Sequence, residues 1–275
     1  MEWPPNSSHP ASHERTRKET MAFDAAIDDQ APGRALARTL ILAYGLATYV
    51  LFFGTFLYLI GFIGGFGVPK TLDSGVPGPI GLAVAVNVGL LALFAIQHTI
   101  MARPAFKRWW TTVIPEPIER STFVLVTSLL LCLTAWQWRP IPGVVWHVEG
   151  AAAIAIYAIS AVGWVVVLAS TFIIDHFDLF GLRQTLSYAF RRSYQPPKYK
   201  EVYLYRFCRH PLMLGFLIAF WATPSMSASH LLFAGVCTAY VLVAIKIEER
   251  TLIQLHGTAY EDYRRRVPAL IPRPR

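Results

Sequence analysis

Charge is scarce in this chain: 15% of its 275 residues are charged and 54% are hydrophobic. Soluble domains carry about a quarter charged residues, so a surface bathed in water on all sides is excluded. The mean hydropathy is positive, as a bilayer protein requires. Cysteine is scarcer still. Cys132, Cys208 and Cys237 stand alone, without CxxC or Cys/His ligand spacing, so neither a disulfide framework nor a zinc site is indicated, and no metal is expected. A continuous basic stripe is missing too. The net charge of +8 is scattered between apolar blocks, so it marks membrane topology and no nucleic-acid partner is expected. The first 33 residues are polar and Pro-bearing with no apolar h-region, and do not read as a secretory signal. Residues 1–35 are expected to form a disordered cytosolic tail, within which Met21 is an alternative start.

Long apolar runs are what the chain has in abundance. Four blocks, at 36–64, 79–101, 121–138 and 151–174, are long enough to span, since about 20 helical residues cross a ~30 Å hydrocarbon core. A fifth, from Pro211 to Met226, reaches only roughly 24 Å as a helix, turns at "TPSMSASH" and returns from Leu231 to Ile247. The basic residues test this partition. If both ends face the cytosol, all but Lys70 and Arg139 of the 25 lie inside, as the positive-inside rule demands. The expected fold is therefore all-α: a polytopic membrane helix bundle over residues 36–275. It has four spanning helices plus a C-terminal helical hairpin, with both termini cytosolic.

Polar residues converge on that same side. Gln97 and His98 end the second span, while Asp175, His176 and Asp178 end the fourth. "YRFCRHPLMLGF", residues 205–216, opens the hairpin, and Glu248 and Glu249 close it. Ionisable groups at membrane depth are costly and usually functional. A cytosol-facing site is expected. "GFIGGFG", residues 61–67, has a dinucleotide-loop look but ends a transmembrane helix with no preceding strand, so small residues at a helix exit explain it. The tryptophans of "RWW" and "WQW" sit at interfaces, where aromatic belts belong.

The C-terminal "IKIEERTLIQLHGTAYEDYRRRVPALIPRPR" carries Glu249, Leu252 and His256 on one helical face. Gly257 is placed as a C-cap. The Val267-Pro268 and Ile271-Pro272 pairs force extended chain that can lie over the site. Together with "RHPLMLG", this stretch resembles the isoprenylcysteine carboxyl methyltransferase superfamily over residues 203–272, with one departure: His256 replaces the usual Phe before Gly257. Upstream, "FAIQHTIMARPAFKRWW", "TAWQWRPIPGVVW" and "STFIIDHFDLFGLRQ" narrow the likeness. From Leu36 onward the chain resembles the bacterial methanethiol S-methyltransferases, relatives of the NnrU proteins. The resemblance implies a multi-pass protein of the bacterial inner membrane. It would transfer a methyl group from S-adenosylmethionine to methanethiol, giving dimethyl sulfide, with the cofactor held by the hairpin and the C-terminal segment.

The residues suit that expectation. Arg206 or Arg209, with His210, can hold a carboxylate through a planar fork. Pro211 at a first helical position adds free N–H groups. Glu248 or Glu249 can accept from an ammonium or ribose hydroxyls, and Tyr205, Tyr260 and Tyr263 offer faces to an adenine or a sulfonium. Met213 and Leu252 belong to the matched motifs, and Gly215 lets a backbone or ligand approach. A thiol must lose its proton, for which His98 and His176 are the candidates, with Asp175 or Asp178 orienting an imidazole. Two other readings share part of the signal. Membrane sterol reductases carry an Arg-His-Pro entry and bind NADPH but are longer, and a haem protein would use His98 and His176 as axial ligands.

Overall fold

The computed structural model describes residues 33–197 and 201–271, so all but the last three residues of the expected tail lie outside the described residues, as does Pro272. Helices dominate. The first, α1, runs Gly33–Gly64 and α2 runs Ile80–Met101; a short α3, Pro104–Trp110, leads to α4, Glu119–Gln137. A strand β1, Val144–His147, precedes α5, Gly150–Ile174, and two short helices follow, α6, His176–Leu179, and α7, Leu182–Ala189. The C-terminal part comprises α8, Pro211–Trp221, strand β2, Ser225–Ser227, α9, Ala228–His256, and α10, Thr258–Arg266. Five helices are long and apolar enough to cross a membrane: α1, α2, α4 with the preceding 3₁₀ turn, α5 and α9. Their burial is inverted relative to a water-soluble bundle. Val50, Ile154 and Val165 are exposed while Asn87, Ser121, Ser128 and Ser170 are almost fully buried, as expected when lipid makes the outer face apolar and small polar residues let helices approach.

The hairpin departs from a pair of helices. α8 has 11 residues, about 16 Å of helix, which by itself is too short to cross. The chain then continues in extended form, and β2 pairs antiparallel with β1 in the connection between α4 and α5. Pro224 O accepts from Val148 N–H, and Gly143 O accepts from Ala228 N–H. The expected tight turn is thus drawn out because its backbone finds partners in the far loop. The 29-residue α9 returns across the whole bundle. Among the described residues, five long helices and the shorter arm made by α8 and its extension run between the two ends of the bundle, and the two described ends lie at the same end. The two-stranded ribbon is the one element the all-α expectation lacked.

α8 is held by α5. A Cβ on Gly163 would lie 2.7 Å from Ala219 N and 2.8 Å from Gly215 O, and one on Gly215 would lie 2.8 Å from Gly163 O and from Val167 N. Only glycine permits this backbone contact. At the ribbon end, Trp138 and Phe62 pack with Phe233 in the largest apolar cluster, and Asn87 exchanges both amide hydrogen bonds with the backbone of Arg139. These contacts hold the ribbon end together, while Arg209, His210, Glu249 and His176 lie at the other end.

Candidate functional site

His210 is the N-cap of α8 and Pro211 its first residue, where a missing N–H costs nothing. One face of the terminal half of α9 presents Glu249 to this entry. The Arg209 guanidinium meets Glu249 Oε1 at 2.7 and 2.8 Å, and His210 Nε2 lies 3.1 Å from the same oxygen. On the other side His210 Nδ1 is 3.5 Å from Glu248 Oε2. The Arg209 and Glu249 side chains keep only 9% and 12% of their exposure, whereas Glu248 keeps 48%. Two carboxylates thus flank one buried imidazole, and one of them still faces outward.

The C-terminal chain closes over this group. Gly257, at φ +57° and ψ −133°, a backbone that favours glycine, ends α9 and starts α10. Tyr260 and Tyr263 on α10 are buried against Val267, with Leu252 and Ile253 packed beside them. Tyr263 Oη donates to Tyr205 O at 2.6 Å. Beyond α10 the chain is non-helical, bends at Val267 and again from Ala269, and lies across the hairpin entry. Pro268 O accepts from Arg209 N–H, Ala269 O from His210 N–H and from Cys208 Sγ. The remaining Arg209 donors reach Arg264 O and Val267 O. Burial, with the nearby Glu248 carboxylate second, pushes the Tyr205 phenol up, and burial also raises the Cys208 thiol.

The structure therefore brings together Tyr205, Arg209, His210, Pro211, Glu248, Glu249, Leu252, Tyr260 and Tyr263. Arg206 is not among them: it is exposed, and its Nε is 3.4 Å from Glu201 O. Gly215 faces α5 backbone, and Met213 is half-buried on α8. Arg209 has its fork committed to Glu249 and two backbone carbonyls, which makes it a staple of the C-terminal strap.

The upstream residues form two further groups at the same end. His176 is 3% exposed. Its Nδ1 lies 2.8 Å from Thr171 Oγ1 and its Nε2 2.9 Å from Tyr49 Oη, and the ring stacks on Phe172 at 4.3 Å. Burial holds this imidazole below its ordinary value, against the opposing pull of Asp175. Asp175 itself pairs with Arg183 and caps α6. Asp178 accepts from Tyr194 Oη at 2.8 Å and Gln184 Nε2 at 3.3 Å; burial pushes its carboxyl up against the hydrogen bond from Tyr194. His98 sits apart from both, packed between Phe94 and Phe123 at 5.4 and 4.9 Å, and its buried Nδ1 has no hydrogen-bond partner among the described residues.

No described contact joins His98 to His176, and both nitrogens of His176 are within hydrogen-bond distance of hydroxyls. Cavities of about 580 and 290 Å³ lie at the ribbon end, near Trp164 and His230 and near Lys70 and Arg139; neither is lined by His98, His210 or Glu249. A partner of His176 that the sequence pattern does not single out is Tyr49. It stands 127 positions from His176 inside an apolar span, where a tyrosine draws no notice.

The NnrU protein family matches residues 87–267. Methanethiol S-methyltransferase 2 of Bradyrhizobium diazoefficiens is 54% identical over 86% of this chain and 92% of that protein. Methanethiol S-methyltransferase of Mycobacterium tuberculosis is 50% identical over 87% and 98%. Human nurim is 26% identical over 79% and 91%. No solved structure matches the chain.

Proposed function

The chain belongs to the NnrU family, and from that premise we propose that it is a membrane methyltransferase that methylates methanethiol to dimethyl sulfide, with S-adenosylmethionine as donor. The observation that carries this reading is the near-full-length identity of about half to relatives bearing that name. The basic end of the bundle, on the cytosolic side of the bacterial inner membrane, houses the site. When bound, the cofactor supplies a methyl group activated on a sulfonium.

The residues at the strap fit such a group. Glu248 keeps half its exposure beside a buried imidazole, as a partner for an ammonium or hydroxyls requires, and Tyr205 sets an aromatic face next to it. The α8 N-terminus adds free backbone donors for a carboxylate. Arg209 and Glu249 hold the strap that covers the guest and excludes water. Because the strap is bonded to the hairpin entry, loading requires it to lift and reclose. His98 and His176 are the imidazoles available to a thiol proton, and Asp178 ties α6, which carries His176, to Gln184 and Tyr194. Little covalent help is needed, since alignment and a desolvated thiolate supply most of the acceleration.

The test is chemical. Membranes containing the protein, given methanethiol and S-adenosylmethionine, release dimethyl sulfide into the headspace, and membranes lacking it do not. Equal gas evolution from both would end the proposal.

A further inference from the structure

We infer that Tyr49 is the group that meets the thiol, passing its proton to His176, so that the base is a two-residue relay built between α1 and α6. This rests on the thiol-methylation reading above and adds a residue to it.

Hydrogen bonding sets the tautomer. The Thr171 hydroxyl lies 2.7 Å from Leu168 O, a carbonyl that can only accept. Its single proton is spent there, so at 2.8 Å it accepts from His176 Nδ1–H. A neutral ring protonated at Nδ1 has its lone pair at Nε2, and that nitrogen is 2.9 Å from Tyr49 Oη. Tyr49 therefore donates to His176 and keeps its oxygen lone pairs open to a donor such as S–H. Stacking on Phe172 at 4.3 Å and edge contacts to Phe177 and Phe180 leave the ring no room to turn away.

The surroundings fit a small apolar thiol. Phe53, Phe172 and Phe177 ring the Tyr49–His176 pair and are all substantially exposed. In a bilayer they form an aromatic lip facing lipid, into which a volatile thiol partitions, and sulfur packs favourably against such rings. The pair is also next to the strap site. The Gly163–Ala219 and Val167–Gly215 contacts set an antiparallel register between α5 and α8. One further turn brings Thr171 level with His210 and Pro211. The hydroxyl that orients His176 therefore stands beside the entry where the donor is proposed to sit.

The step balances. The thiol S–H bond breaks as an O–H bond forms on Tyr49, while the original phenolic proton bonds to His176 Nε2. Sulfur keeps the S–H electron pair and uses it to form the new S–C bond. The pair of the cleaved bond stays on the leaving sulfur of the sulfonium donor, which becomes a neutral thioether. Positive charge thus moves from sulfonium to imidazolium, facing the Asp175 carboxylate, and the extra proton later leaves to water.

Tyr49→Phe keeps the ring and removes only the hydroxyl. With methanethiol its turnover is expected to fall at least tenfold while S-adenosylhomocysteine binding is unchanged; Tyr44→Phe, on the same helix as Tyr49 and losing a bond to Thr122 of α4, serves as control. An arylthiol already ionised at neutral pH needs no base, so with it the Tyr49→Phe defect shrinks below twofold. A defect of equal size for both thiols makes Tyr49 merely structural and overturns the relay. A second readout needs no turnover. In cofactor-free protein, pH titration of the colour of a bound chromogenic thiol shows thiolate forming at lower pH in the wild type than in Tyr49→Phe, and coincident titrations also overturn it. Absence of any thiol methylation by the wild type instead removes the underlying function; normal wild-type turnover with an unimpaired Tyr49→Phe removes the relay alone.

Discussion

Among single residues, Arg209 and Glu248 differ in what they do, although both sit against the same imidazole cluster. Arg209 and Glu249 are a buried pair, and removing one partner of such a pair costs about 3–5 kcal/mol because the other charge is left stranded. Arg209→Ala also frees the strap carbonyls of Arg264 and Val267. It is expected to lower thermal stability in detergent and to abolish cofactor binding with it. Glu248, half-exposed, bears no such load. Glu248→Ala is expected to keep the unfolding temperature within about 2 °C, since surface substitutions usually stay within ±0.5 kcal/mol, while weakening S-adenosylhomocysteine binding at least tenfold by calorimetry. Full affinity in Glu248→Ala would remove that carboxylate from the cofactor site. The Arg-His-Pro and Glu-Glu residues were legible in the sequence because each motif is local and polar against an apolar background. The committed state of Arg209 was not, because its partners are backbone carbonyls that no side-chain pattern announces.

In the pairing of α5 with α8, what decides the geometry is the absence of side chains. The register rests on Gly163 and Gly215, 52 positions apart, each admitting the other helix's backbone. A methyl group there has backbone atoms under 3 Å away, which cannot yield as a flexible side chain would. Gly163→Ala is therefore expected to destabilise by about 1–3 kcal/mol, as overpacking does, and to slow thiol methylation by shifting Thr171 relative to His210. Gly89→Ala on α2, where a Cβ meets nothing within 4 Å, is the matched control. Unfolding of both variants in detergent checks this; a Gly163→Ala protein as stable as the control would mean the helices separate freely. The spans themselves were readable from apolar length. That the outgoing arm of the hairpin would stop at Trp221 and continue as a strand was not, because its partner is β1, a loop segment with no signal until the backbone pairs.

For the whole molecule, five long helices and the shorter α8 arm put the strap, the hairpin entry and His176 at one end and the β1–β2 ribbon at the other. The distribution of basic residues had already argued for this orientation, and the path of the chain supplies an independent reason: α8 and the extended segment after it carry the backbone as far as the connection between α4 and α5 before α9 brings it back. Had the hairpin turned back halfway, the ribbon could not form. The two arguments make one joint prediction about sidedness. In a background with Cys132, Cys208 and Cys237 replaced by serine, Val76→Cys, at a position 91% exposed beside Lys70, should react with a membrane-impermeant maleimide in intact spheroplasts. Glu261→Cys, exposed on α10, should react only after the membrane is opened. Labelling of both positions from outside would put the strap on the wrong face for a cytosolic methyl donor. It would overturn the orientation, and with it the supply of cofactor on which the proposed methyl transfer depends.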